Sequence, residues 1–488
     1  MSDVPFPLLT APGLKPQAAG GRVLNCYPEK LPQTAGKPYG WFRVPGLSAF
    51  GTTPSGRFRG GVLVNNIFYG VFGTSVYSWS AAGGVGTLLP GAIPGSEIVF
   101  GARNNAANPD VVFVSPGNGA FWINGSGQVV TYPDANVGQP NAVVFHKGFF
   151  VFTYGNGTTR TSNVNVTTIN VLNSATAESK PDTLYRPVPL ANGQLLLCGS
   201  TSLEVWGGAN DSGYPFSYIA TIARGLVGPA AIAGSEDGFG KGIFLVGDDY
   251  RVSRLDGYEC VPISNSDLDT LIERETNKSA IRVGVFNSRG HGFVVVQGAA
   301  WCWIFDTTLN TWHERRSYLQ QYWRGLYPVQ AFNKWLCGDS DGANLCEISA
   351  QVRKELGNPI NMRIETGPFG SFPNAVRINA IELYLTKGAS DATGHDPDET
   401  NVEIAISISR NGGQDWSNPR NVKIGRQAIT NGRVRASIWG QAEVQACAGG
   451  SRRALAWTSP SWARTCSGTS CDEDEVLAAR AERADPFA

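Results

Sequence analysis

From about residue 57 to residue 349 one pattern recurs: an apolar strand, a short turn holding Gly, Asn or Asp, then a second strand. It occurs at Val62 to Trp79, Val111 to Ile123, Val143 to Tyr154, Leu195 to Trp206, Ile243 to Leu255, Phe293 to Phe305 and Lys334 to Ile348. The starts are separated by roughly 30 to 50 residues, the length of a four-stranded propeller blade. A unit of this kind cannot cover both of its faces alone, so the units must stack, and a ring of them leaves only short protected edges. The expectation is an all-β chain with a propeller-like repeat domain of about six or seven blades. A pair of irregular sandwiches is the other arrangement the pattern permits.

Composition agrees. With 59 Gly and 29 Pro in 488 residues and 16% charged residues, the chain is too punctuated for long helices, yet its 10% aromatic content is too rich for disorder. Forty Lys and Arg balance forty Asp and Glu, so no chain-wide field draws the protein to phosphate. Met1 to Gly20 has no cationic stretch leading into an apolar one, and apolar runs such as Ile243 to Val246 are far too short to span a bilayer. A soluble protein without a signal peptide is expected. Nine cysteines, none in a C-x-x-C pair, read as reduced, buried small hydrophobes, Cys26, Cys198, Cys260, Cys302 and Cys337 among them. The sequons at Asn124 and Asn277 carry no weight without secretion.

Flanking segments differ. Residues 1–50 carry Pro5, Pro7, Pro12, Pro16, Pro28, Pro32, Pro38 and Pro45, each lacking a ladder donor, and an extended arm is expected rather than a folded unit. Residues 51–350 form the propeller-like domain. Residues 351–438 form a smaller β-sandwich-like domain, with alternating strands at Arg377 to Leu385 and Val402 to Ile408 around an acidic loop, Lys387 to Asn401. From Trp439 to Ala488 the alternation ends, and an atypical tail, helical or irregular and contributing little to the core, is expected. Within the repeats, Ser266 to Glu273 reads as a short inserted helix with Ser266 as its N-cap.

Little in the chain points to catalysis. Its four histidines, His146, His291, His313 and His395, have no partners at metal-ligand spacing, and ordinary surface or hydrogen-bonded histidines are the better reading. Asp339-Ser340-Asp341-Gly342-Ala343-Asn344 has alternating oxygen ligands, but its glycine is misplaced for a calcium loop, so a hairpin turn is expected. The 387–401 loop, with Asp391, His395, Asp396, Asp398 and Glu399, reads as a solvated excursion before an ion site. No acid pair, G-x-S-x-G, P-loop or H-E-x-x-H pattern stands out. The expectation is a non-enzyme with no catalytic, cofactor-binding or metal residues and no cofactor.

Several stretches carry resemblances. Trp301 to Trp312, an apolar strand, an Asp/Thr/Asn turn and a return strand with an aromatic, resembles a kelch-type blade. Ser409-Arg410-Asn411-Gly412-Gly413-Gln414-Asp415-Trp416 resembles the Asp-box hairpin corner of sialidase-like propellers, with Asn in place of Asp; that box is structural, not catalytic. Three stretches together are similar to the packaged-DNA stabilisation, or tail hub, proteins of short-tailed bacteriophages. They are Arg22-Val23-Leu24-Asn25-Cys26-Tyr27-Pro28-Glu29; the run from Gly290-His291-Gly292-Phe293 through Trp312-His313-Glu314-Arg315-Arg316-Ser317 and Trp323-Arg324 to Asp339; and Ser409 to Trp416 with Ile424-Gly425. The pattern departs after about Arg435.

That resemblance implies a structural virion protein assembled in the host bacterial cytoplasm: a tail hub or nozzle subunit that closes the head after packaging and forms part of the DNA ejection conduit. It implies a ring of copies, six in the family, below the portal and its adaptor ring. Spikes or fibres and a needle attach below, and genomic DNA passes without sequence-specific binding. The family brings no known catalytic site. A glycan-binding or glycan-cleaving tail propeller is the alternative.

Overall fold

The computed structural model describes residues 5–13, 19–33, 38–177, 179–180, 182–208, 213–368, 376–385, 402–409, 415–425, 433–437, 441–442, 454–458 and 477–483. Seven four-stranded antiparallel units ring one axis. Blade 1 is Phe58–Val64, Ile67–Phe72, Ser75–Trp79 and Thr87–Leu89. Blades 2 to 5 are likewise separate sheets, with innermost strands Phe100–Arg103, Ala142–His146, Leu184–Pro189 and Ile232–Ala233. Blade 6 is Arg282–Ser288, His291–Gln297, Cys302–Asp306 and Thr311–Glu314; blade 7 begins with Gly325–Ala331, Lys334–Asp339 and Asn344–Ser349. Innermost strands neighbour one another in order, and blade 7 meets blade 1 again. Between blades 4 and 5 the step is made by Arg186, whose Nη1 donates to Ile232 O at 3.3 Å.

Each recurring hairpin of the sequence falls within one blade: five of the seven supply its two central strands, Val143 to Tyr154 supplies the first two strands of blade 3, and Val62 to Trp79 covers the first three of blade 1. A blade packed on both faces needs near-continuous apolar strands, and Val111–Ser115, Leu195–Gly199 and His291–Gln297 are buried throughout. The turns are of the expected kind. Asn65 and Asn66 both adopt positive φ, 47° and 60°, as a two-residue type I′ turn requires.

The fourth strand of blade 7 comes from the other end of the chain. Gly46–Thr52 runs antiparallel to Asn344–Ser349, with Gly46 opposite Ser349 and Thr52 opposite Asn344. The described N-terminal residues therefore do not form a separate arm: a boundary at 50/51 cuts the strand that closes the ring. Before it, Cys26–Lys30 and Tyr39–Arg43 form a two-stranded hairpin that tolerates Pro28 because it has no further strand to feed.

Blade 6 does not end at its fourth strand. Its sheet continues through Gly21–Leu24, Arg363–Thr366, Ala454–Thr458, Val402–Ser409 and Arg420–Gly425. A second sheet has Val376–Leu385 paired with Arg433–Ser437, Gln441–Ala442 and Leu477–Arg483. One apolar core joins the two, with Ile364, Ile378, Ile381, Leu383, Ile404, Ile406 and Val434 alongside Phe6, Val23, Cys26 and Trp41 from the N-terminal segment. Strand pairing thus draws the boundaries differently from composition. The tail expected to be helical or irregular contributes two strands, one of them between Arg363–Thr366 and Val402–Ser409. The inserted helix spans Ser266–Arg274, but its N-cap is Asn265, whose Oδ1 accepts from Leu268 N at 3.0 Å; Ser266 lies inside.

Candidate functional site

The Trp312-to-Ser317 string and the Asn25 segment, about 290 residues apart, form one buried junction at the outer edge of blade 6. Asn25 has φ 57° and is 2% exposed. Its Nδ2 donates to Arg316 O at 3.0 Å and to Asn361 O at 2.8 Å, and its Oδ1 accepts from Arg316 N at 2.9 Å. Its own amide donates to Glu314 O at 2.9 Å. Asn is suited to this position because it tolerates the left-handed conformation while its amide serves both roles.

Charged side chains reinforce the joint. Arg22 holds Glu314 with two bonds, Nε to Oε1 at 2.8 Å and Nη2 to Oε2 at 2.6 Å, and Arg316 Nη2 reaches Oε2 at 3.0 Å. Arg315 and Glu355 are a buried ion pair. Arg315 also donates to Pro45 O at 2.7 Å and lies 5.4 Å from the Trp323 ring centre, while Trp323 Nε1 donates to Glu355 at 3.1 Å. Trp312 is buried against Phe305 and donates to Ile263 O at 2.7 Å. Consecutive residues of one short string therefore grip the helix lead-in, the N-terminal segment, the closing strand's approach and the linker to the second sheet pair.

The histidines divide. His291 Nδ1 lies 2.7 Å from Asp306 Oδ2, beside Tyr27, and His146 Nε2 lies 3.1 Å from Gly193 O. His313 is neither a surface nor a hydrogen-bonded residue among the described residues, contrary to expectation: it is 1% exposed and neither ring nitrogen has a hydrogen-bond partner there. Burial, opposed by Asp306 and aided by Arg315 and His291, pushes its imidazole down to about 3. It interacts with Tyr27 and Phe293 as an aromatic filler. His395 and the 387–401 loop lie outside the described residues.

Asp339 opens a hairpin turn, as expected of its run. Its carboxylate takes both Arg324 Nε and Nη2 at 2.8 Å, together with Asp341 N and Asn344 Nδ2. Most of the Asp-box corner also lies outside the described residues, but Trp416 packs under Arg363 at 5.7 Å. Six described cysteines are free thiols, five of them buried.

At the axis, the Arg186 guanidinium carbon sits 4.8 Å from the Phe100 ring centre, linking blades 4 and 2. Glu236 acts on the same guanidinium; burial raises the Glu236 carboxyl, and Arg186 works against that. Nothing local in the sequence marks Arg186 or Glu236, because their partners come from other blades.

Over residues 24–353 the chain matches the family model described as Bacteriophage P22 Gp10, beta-propeller. No protein of curated function matches it. Among solved structures it is similar to the WD40 β-propeller domain of Doa1, at 12% identity over 62% of this chain and 96% of that one, TM-score 0.40. It is also similar to PorZ, a surface component of the type-IX secretion system of Porphyromonas gingivalis, at 11% identity over 83% and 55%, TM-score 0.38. The computationally designed Ika8 protein matches at 11% identity over 71% and 100%, TM-score 0.39.

Proposed function

This chain belongs to the Bacteriophage P22 Gp10 β-propeller family of phage structural proteins, and on that premise we propose that it is a tail-hub subunit that closes the filled head and later borders the path of the leaving genome. The observation that carries the reading is the sheet that runs unbroken from the propeller axis, through blade 6 and the N-terminal strand, into the second sheet pair. A part that must resist internal pressure benefits when its two bodies share a hydrogen-bonded ladder instead of a flexible linker.

Copies of the chain are proposed to form a closed ring, six by the family pattern, beneath an adaptor ring, with spikes or fibres and a needle below. The conduit lies between copies and not along a propeller axis, because Arg186, Phe100 and Ile232 join across that axis. Zero net charge suits a passage that DNA must leave. No catalytic activity is proposed.

Phage lacking the protein are expected to package DNA and then lose it, and tail images are expected to show six copies. Particles that keep their DNA but fail to adsorb would make the chain a receptor-binding part instead.

A further inference from the structure

The starts of the innermost strands of blades 6, 7, 1 and 2 bring a cluster of charges to one end of the axis. Arg282 opens the strand in blade 6, Tyr327 is the third residue of that in blade 7, and Arg57 and Arg59 flank Phe58, the first residue of that in blade 1. Glu97 lies three residues before Phe100. These groups are close enough to act on one phenol: burial raises the Tyr327 hydroxyl, Arg282, Arg57 and Arg59 work against that, and Glu97 adds to it. Three guanidiniums thus stand against one carboxylate. Asp341, hydrogen-bonded to Tyr322, is the next acid on the Arg57 side.

The three arginines are not equivalent. Arg59 is spent within the fold, donating to the carbonyls of Glu97, Gly73, Ile93 and Pro94 and to Ser115 Oγ. Arg282 is not: its Nη1 is buried and meets no acceptor among the described residues. A buried guanidinium donor without an acceptor is costly, and an anion would remove that cost. Tyr327 supplies an independent sign. Its φ is 46°, the left-handed region, at a bulge between Leu326 and Val329. A bulky residue adopts that conformation only under constraint, and bulges serve to re-aim a side chain.

We propose that this end of the axis binds an oxyanion group, seated on Arg282, with Arg57 as the second charge and the Tyr327 hydroxyl as a further donor. Phosphate and the carboxylate of an acidic sugar share the required chemistry, planar or tetrahedral oxygens that a guanidinium fork matches. The site is independent of the tail-hub reading.

The test uses the full-length chain at low ionic strength, with calorimetric and thermal-shift titrations of inorganic phosphate, glucuronate, neutral glucose and matched sodium chloride. Saturable binding of phosphate or glucuronate, absent with glucose and chloride, is expected. A tenfold preference for glucuronate would identify an acidic sugar as the source, and the reverse a free phosphate group. Arg282→Gln should weaken binding at least tenfold. Arg57→Gln, at an exposed position that leaves the fold intact, should weaken it several-fold. Absence of saturable binding by either anion, or unchanged affinity in Arg57→Gln, would overturn the site.

Discussion

Arg186 in blade 4 stacks its guanidinium 4.8 Å over the Phe100 ring of blade 2 while its Nη1 bonds Ile232 O of blade 5. One side chain therefore ties three blades at the axis. Arg186→Ala removes a cation–π contact and a hydrogen bond to a backbone carbonyl, and is expected to cost about 2–3 kcal/mol in urea unfolding. Arg186→Lys should recover little of it, because an ammonium lacks the flat face that covers the ring.

Asn25 answers a different question, how firmly the N-terminal segment is seated. Asn25→Ala loses three side-chain bonds, leaves the part-buried Arg316 N and Asn361 carbonyl without this partner, and keeps an unfavourable positive φ. A loss of about 2–4 kcal/mol is expected. Asn25→Gly relieves the backbone and should be the milder change, so the difference between the two variants in denaturant midpoint reads the backbone share directly.

His313 makes stability depend on acid. The unfolded imidazole takes a proton near pH 6.5, whereas the folded one does so only at about 3, so the unfolded state binds more protons between those values and stability falls as pH drops. Between pH 7 and pH 4.5 the loss from this group is roughly 2–3 kcal/mol. His313→Leu should remove most of that slope in urea titrations at the two pH values. Trp312→Ala, one residue away, should instead cost about 3–5 kcal/mol with little change in slope, as loss of a buried aromatic does.

Truncation at residue 438 removes Ala454–Thr458 from between two strands and Leu477–Arg483 from the edge of the second sheet. Composition predicts a stable fragment; strand pairing predicts the reverse. The truncated chain is expected to keep a folded propeller while residues 363–437 become protease-sensitive, detectable as an early cleavage in limited proteolysis.

The blades were legible because their information is local. Hairpins such as Val111 to Ile123 carry apolar strands and their turn residues within a dozen positions or so. Trp312 was legible for the same reason, as an aromatic on the return strand of such a hairpin. The closing strand was not, since Gly46–Thr52 pairs with residues about 300 positions later and follows a proline-rich run that argues against a sheet. His313 was misread because its burial depends on Tyr27 and Phe293 arriving from elsewhere in the sequence. The junction was half visible: both of its strings stood out, but nothing in either shows that Asn25 grips Arg316.

Because blade 7 takes its outermost strand from Gly46–Thr52, the ring has a seam, and the seam sets an order of events on the ribosome. Blades 1 to 6 emerge in sequence, each able to lean on the one before, while the closing strand, met only at its end by Gly84–Val85, waits for its long partner until Asn344–Ser349 has left the exit tunnel. Throughout that interval the nascent chain exposes a strand edge seeking a partner, and on a polysome the nearest substitute is the same strand of a neighbouring chain. Slow synthesis near residue 350 would therefore favour exchange between chains, whereas rapid completion would favour each propeller closing on itself.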